Sequence, residues 1–266
     1  MNRIRAILIL LIPVFLKSLL YAEKGEVYEE IEKSNTPNGP EKKEEILFGG
    51  TLLSYTAHNV PARHLAFEQF FIFSNAYGLY NNNSKLKNGN HFSQLELLPY
   101  LKFGIINNLD LNIITSFTYS FAKKSDAASL GDTLVLFGIQ LMQAKEDSWM
   151  PDMRLLVGES FPTGKYDKLN PKMNGADGVG SGSFETTFIL SLAKVFPVSE
   201  NHALRFNPNL YYIIPSNTNI SNLSVYGGGE GTRGTAKPGN QIAFDFPCEY
   251  NITNHLILGL DIFLHP

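Results

Sequence analysis

Few side chains in this sequence stand at spacings that could do chemistry. His58 and His64 could ligate a metal ion, but no third ligand lies at metal-like spacing and neither sits in a His-Glu-x-x-His frame. His91 and Ser93 offer a base and a nucleophile. Acyl transfer also needs an orienting polar residue converging on them, and no Gly-x-Ser-x-Gly elbow is present. The glycine-rich run 175–183 could cradle phosphate or calcium, yet it lacks both the Gly-Lys-Ser/Thr ending of a phosphate loop and the spacing of a calcium loop. Gly164-Lys165 lacks the preceding glycine of a phosphate loop, and 226–234, with Gly227, Gly228, Gly229 and Gly231, reads as a mobile loop. Cys248 falls on an apolar face and reads as a small filler. No catalytic, cofactor or metal residue is therefore assigned, and an enzyme is not expected.

The bulk numbers narrow the class. A single cysteine excludes an internal disulfide and a thiolate cluster. A net charge of −3 shows no basic excess, so no nucleic-acid partner is expected. Charged residues make up 18% and aromatics 12%. Soluble domains usually carry about a quarter charged residues, so something other than charge must cover this surface.

The N-terminus carries Arg3 and Arg5, an apolar run over 6–16 and a small residue, Ala22, at a plausible cleavage site, which predicts a signal peptide over 1–22. A flexible periplasmic leader follows over 23–60, rich in Glu, Lys, Asn, Ser, Pro and Gly up to residue 45. From there the dominant signal is alternation with period two. In 109–121, Leu109, Leu111, Ile113, Thr115, Phe117, Tyr119 and Phe121 share one face; Asp110, Asn112, Ser116, Thr118 and Ser120 share the other, broken only by Ile114. Nine strands are legible: 67–77, 94–103, 109–121, 132–142, 152–161, 185–196, 203–213, 241–250 and 256–264.

Most of these strands run to about ten residues, which a tilted strand needs to cross hydrocarbon. Links near 107, 143–151, 197–202 and 251–255 are short, whereas 78–91, 162–183 and 215–240 are long. Short periplasmic turns and long external loops are the pattern of outer-membrane barrels. The expected fold is all-β, an antiparallel transmembrane β-barrel over 61–266, with about ten to twelve strands because such barrels have an even number. Its apolar face would meet outer-membrane lipid. Its polar face would line a wet lumen with Gln94, Glu96, Lys102, Asp110, Asn112, Asp132, Arg154, Glu185, Arg205, Asp245, Glu249 and Asp261.

Loop motifs add a resemblance. Leu130-Gly131-Asp132-Thr133, Pro151-Asp152-Met153-Arg154 and Phe161-Pro162-Thr163-Gly164-Lys165-Tyr166-Asp167-Lys168-Leu169-Asn170-Pro171, followed by the glycine-rich 175–183, resemble the outer-membrane transporter family named for the MetA pathway of phenol degradation. The resemblance spans residues 60–266. It implies a barrel and passage of small hydrophobic or aromatic solutes, and it supplies no catalytic residues. A family barrel is expected to continue beyond Pro266, since the chain ends in Leu264-His265-Pro266 without a terminal aromatic residue. The functional expectation is a passive channel in a Gram-negative-type outer membrane. Three alternatives stay open: an adhesive or structural surface barrel, a barrel phospholipase, and a soluble periplasmic sandwich. The permeant, the pore size and the oligomeric state are not legible.

Overall fold

A computed structural model describes residues 5–11, 48, 54–80, 85–122, 124–144, 148–199, 202–253 and 256–264. Residues 5–11 of the expected signal peptide form a strand paired in the sheet, and the rest of that segment and most of the expected leader lie outside the described residues. The elements are β1 (Arg5–Leu11), β2 (Leu65–Tyr80), β3 (Leu86–Ile106), β4 (Leu109–Ala122), β5 (Ser125–Met142), β6 (Asp152–Phe161), β7 (Glu185–Ser199), β8 (His202–Phe206), β9 (Asn209–Pro215), β10 (Thr218–Ser221), β11 (Arg233–Ala236), β12 (Gln241–Thr253) and β13 (Leu256–Leu264). Among the described residues one 3-10 turn, Pro171–Met173, interrupts them.

All but β10 and β11 join one antiparallel sheet in the order β1-β2-β3-β4-β5-β6-β7-β8-β12-β13, with β9 between β7 and β12. From β2 to β7 each strand pairs with its neighbour in sequence, β8 and β9 lie end to end between β7 and β12, and β12 pairs β13, so the sheet is a meander. The nine strands legible in the sequence are all present, and two differences have local causes. Pro208 lacks an N–H and splits 203–213 into β8 and β9; at the break Asn207 N donates to Pro247 O and Leu192 N donates to Pro208 O. The expected long link 78–91 is largely strand, since β2 reaches Tyr80 and β3 begins at Leu86. Likewise β5 begins at Ser125, so β4 and β5 are joined across only two residues, 123–124. Polar residues at these ends continue the ladder, because pairing needs backbone groups and not apolar side chains.

The two remaining long links are folded onto each other. Residues 162–184 and the β10–β11 hairpin are tied by Lys168 N to Ser221 O, Leu169 N to Leu223 O and Val225 N to Tyr166 O. The Tyr226 hydroxyl donates to Ser181 O at 2.7 Å.

Burial follows the parity of the strands with the usual faces exchanged. On β4 the even positions Asp110, Asn112, Thr118 and Ser120 are buried, while Phe117, Tyr119 and Phe121 are exposed. On β12 Asp245 and Glu249 are buried, and Ile242, Phe244 and Phe246 are exposed. The sheet also curls toward its polar side. In a flat sheet β3 and β9 would stand about 24 Å apart, five places at about 4.8 Å each. Yet Tyr100 of β3 and Tyr211 of β9 lie within electrostatic range of each other.

A strap, residues 54–64, enters this polar side before β2. It is locked to β3 by Arg63 N to Gly104 O at 2.7 Å and Gly104 N to His64 O at 2.9 Å. A Cβ on residue 104 would lie 1.9 Å from Pro61 O, so only glycine lets the strap turn there. Gly104→Ala is expected to cost about 1–3 kcal/mol by overpacking, measured as a shift of the unfolding midpoint; an unchanged midpoint would show that the strap is not held at this point.

Candidate functional site

The site is the covered polar face together with the strap. Its centre is an ion pair between inward positions of two strands separated by one other strand. Arg154 of β6 places Nη2 2.6 Å from Asp110 Oδ1 and 2.8 Å from Oδ2, and both side chains are about 1% exposed or less. Asn112 Nδ2 donates to Asp110 Oδ1 at 2.8 Å. β5 lies between β4 and β6, and its Gly138 leaves the space. A Cβ there would stand 2.3 Å from both Arg154 Nη2 and Asp110 Oδ1.

The strap completes this network with its backbone. Val60 N donates to Asp110 Oδ2 at 2.8 Å, and Arg154 Nη1 donates to Thr56 O at 3.0 Å. Asn59 N donates to Gln140 Oε1, and Gln140 Nε2 donates to Ala57 O at 2.8 Å. On the far side Asn207 holds Ala57 N through its Oδ1, and its Nδ2 donates to Tyr55 O at 2.8 Å. Ser191 Oγ donates to the same carbonyl at 3.0 Å, and Ser54 Oγ reaches Asp245 at 3.4 Å. Residues 54–60 thus touch β4, β5, β6, β7, the β8–β9 break and β12. This part of the expected flexible leader is bound tightly to the sheet. Buried polar groups demand such partners, since each one left unmet costs about 1–3 kcal/mol.

The twelve residues proposed for a lumen all lie on the covered face, in several groups. Asp110, Asn112 and Arg154 form the central network. Arg205 and Glu249 form a second buried pair, with Arg205 Nε 2.7 Å from Glu249 Oε2 and its guanidinium 4.6 Å from the Phe48 ring centroid. Asp132 is turned toward the loops, accepting from Gly164 N at 2.9 Å and Ser181 N at 2.7 Å. Glu185 of β7 is half-buried on that same side. Asp245 is buried beside the strap. Lys102 pairs with Glu68 at 2.8 Å, away from the centre. Gln94, Glu96 and Asp261 are half-buried and do not join the central network.

Within this polar face lies an apolar belt. Ile114, Leu136, Leu156 and Ile189, one from each of β4 to β7, are all less than 7% exposed. Tyr55 of the strap, Leu98, Tyr100, Leu134 and Tyr211 pack against them. Sequence reasoning missed the strap, Gln140, Ser191 and Asn207. Ile114, the one break in the polar face of β4, was the available signal for the belt.

The other sequence candidates have local partners. His58 Nε2 lies 3.6 Å from Asp152 Oδ2, and His64 Nδ1 lies 2.9 Å from Ala62 O. Among the described residues no group of three or more His, Cys, Asp or Glu could hold a metal ion. Ser93 Oγ donates to Asn75 Oδ1 at 3.2 Å; the His91 side chain lies outside the described residues. The glycine-rich loop is held by Asp177, whose Oδ2 accepts from Lys165 Nζ at 2.6 Å and from Asn170 N at 3.0 Å. Burial alone would raise the Asp177 pKa, but these donors outweigh it and hold the carboxyl below its ordinary value.

The fold and site define an all-β protein, an antiparallel meander with its polar face covered and its apolar face exposed. Residues 68–264 match the family model described as the MetA-pathway of phenol degradation, and the chain belongs to that family. No curated protein matches it.

Arg154→Met is expected to destabilise by about 3–5 kcal/mol, because it strands a buried carboxylate. The double variant Asp110→Leu/Arg154→Met should lose less than the two single losses combined, in a double-mutant cycle of urea unfolding; strict additivity would contradict the coupling. The Asp177 anchor has a pH signature. A depressed folded pKa gives stabilisation that is complete above the ordinary carboxylate value and is lost as pH falls through the depressed value. Hydrogen exchange over 165–180, relative to the unprotected rate at each pH, should therefore stay slow at neutral pH and lose its protection only in acid. In Asp177→Asn it should already be fast at neutral pH, and equal protection in both proteins would exclude the anchor.

Proposed function

We propose that this protein is an outer-membrane β-barrel, exported by its N-terminal signal peptide, that passes small hydrophobic or aromatic molecules by passive diffusion. The observation that carries this reading is the exchange of faces. Large apolar side chains are exposed along every strand of the main sheet from β2 to β13; among them Leu258 is 63%, Leu260 59% and Phe117 50% exposed. A soluble protein rarely exposes a contiguous apolar patch beyond a few hundred Å², whereas lipid covers such a face at no cost. Hydrocarbon also supplies no hydrogen-bond partners, so a chain spanning it with strands must satisfy its backbone in a ladder and its polar side chains on the inside. No described helix is long and apolar enough to cross a membrane, which leaves the strands as the crossing elements of this reading.

The direction of the hairpins supports the same topology. The β3–β4, β7–β8 and β12–β13 connections share one side of the sheet with the entry of the strap, and the folded loops 162–184 and 216–240 share the other. On this reading the first side is periplasmic and the second external. Membership of a family described for phenol degradation supports a small aromatic permeant over an ion or a macromolecule. The inner belt supports it too, because an apolar ring inside a polar interior suits an apolar solute. The protein acts by selection and passage, and no residue is given a catalytic role.

The test begins with cell fractionation of the expressed chain. It should sediment with outer membranes and run on gels at different positions before and after boiling. Recovery in the soluble fraction without detergent would exclude the barrel. Leu260→Arg places a charge on the lipid side and should cost about 2–4 kcal/mol near the midplane, read as loss of the unboiled gel form. Retention of that form would argue that this face does not meet hydrocarbon.

A further inference from the structure

The Tyr55 ring is the one aromatic group that residues 54–60 place against the belt of Ile114, Leu136, Leu156 and Ile189. The ring centroid lies 6.3 Å from that of Tyr211, with the planes tilted by 55°. The position of Tyr55 is fixed by its backbone, since its carbonyl accepts from both Ser191 Oγ and Asn207 Nδ2. Its neighbours in the strap are fixed the same way, Thr56 O by Arg154 and Ala57 by Gln140 and Asn207. The strap therefore stays anchored without the ring, and the ring fills a place whose walls belong to the sheet.

That place has a defined chemistry. Aliphatic side chains from four neighbouring strands form its wall, and the phenol of Tyr211 borders it. The Tyr55 hydroxyl lies within electrostatic range of Tyr100, Arg154 and Asp245. An apolar wall with polar groups gathered at one end selects a flat ring bearing one hydroxyl, as small-molecule sites do with a few placed polar groups in an apolar lining. The molecule already presents such a group to itself. We propose that the inner belt is a binding seat for a single-ring phenol on the passage route, and that Tyr55 of the strap is its built-in occupant. A permeant phenol displaces the ring, and the ring closes the seat when the phenol leaves. The seat rests on the channel reading and adds to it a location and a ligand class.

The test uses the full chain folded in detergent and 4-fluorophenol observed by fluorine NMR, with empty micelles as the blank. Tyr55→Ala should bind the probe saturably and at least about tenfold more tightly than the parent, about 1.4 kcal/mol. Ile189→Trp added to Tyr55→Ala refills the seat and should return binding to the parent level. Fluorobenzene should bind the Tyr55→Ala protein several-fold more weakly than 4-fluorophenol. Binding by Tyr55→Ala no tighter than by the parent, or equal to micelle partition, overturns the seat. Equal binding of fluorobenzene overturns the hydroxyl selection. Tyr55→Leu is the fallback if the alanine variant loses its unboiled gel form, and it should bind at an intermediate level; parent-level binding by a folded Tyr55→Leu also overturns the seat. A parent protein that enters the outer membrane and passes solutes while these binding results fail loses the seat alone, whereas a parent that stays soluble loses the channel reading as well.

Discussion

Asp110 and Arg154 can be buried only because each meets the other and the strap meets them both. A carboxylate or guanidinium withdrawn from water without partners costs several kcal/mol. Here Arg154 Nη2 reaches both carboxylate oxygens, Asn112 adds a donor, and the strap adds Val60 N and the Thr56 carbonyl. The remaining polar residues of the covered face repeat this on a smaller scale. The sheet's alternation puts them there, and the curl of the sheet brings strands several places apart within reach of one short peptide segment. Gly138 is the geometric concession that makes it possible, because any side chain on β5 at that level would occupy the volume of the ion pair.

The strap and belt divide the interior into layers. Toward the short turns lie the ion pairs and the strap backbone; next comes the apolar belt with Tyr55 against it; beyond it Asp132 and Glu185 meet the folded loops. On the channel reading a solute meets a polar layer, then the apolar belt, then the folded loops. The bonds that hold these loops are individually worth about 1 kcal/mol each, so segments of them can open without the sheet unfolding. Charges of both signs in the interior, largely paired within it, leave no single-sign field to select ions.

How much of this was legible follows from which interactions are local. The strands were readable because a half-apolar rung shows itself at every second residue, and even the exchange of faces follows once the strands are too long and too numerous in aromatics for a soluble sheet. Ile114 was visible as an anomaly on β4, though its meaning needed Leu136, Leu156 and Ile189 beside it. The strap was not legible. Residues 54–60 have no periodicity, and the bonds that tie them to the sheet run to residues at least fifty positions away. The break at Pro208 could have been foreseen from its missing N–H. The extension of β2 and β3 past the apolar band could not, because polar hairpin ends and polar loops look alike in sequence. The folding of loop on loop rests on backbone bonds between 162–184 and 216–240, which leave no mark on composition.

The central claim is that odd-numbered positions of β4 face hydrocarbon and even-numbered ones face the interior. Single nitroxide labels placed along 109–121 in reconstituted protein, with Cys248 replaced by alanine, test it directly through collision with oxygen, which concentrates in lipid, and with a water-soluble nickel chelate. The account predicts oxygen accessibility that rises and falls with period two, high at Leu111, Ile113, Phe117 and Tyr119 and low at Asn112, Ile114 and Thr118. High nickel accessibility at the odd positions, or no period of two, would contradict it.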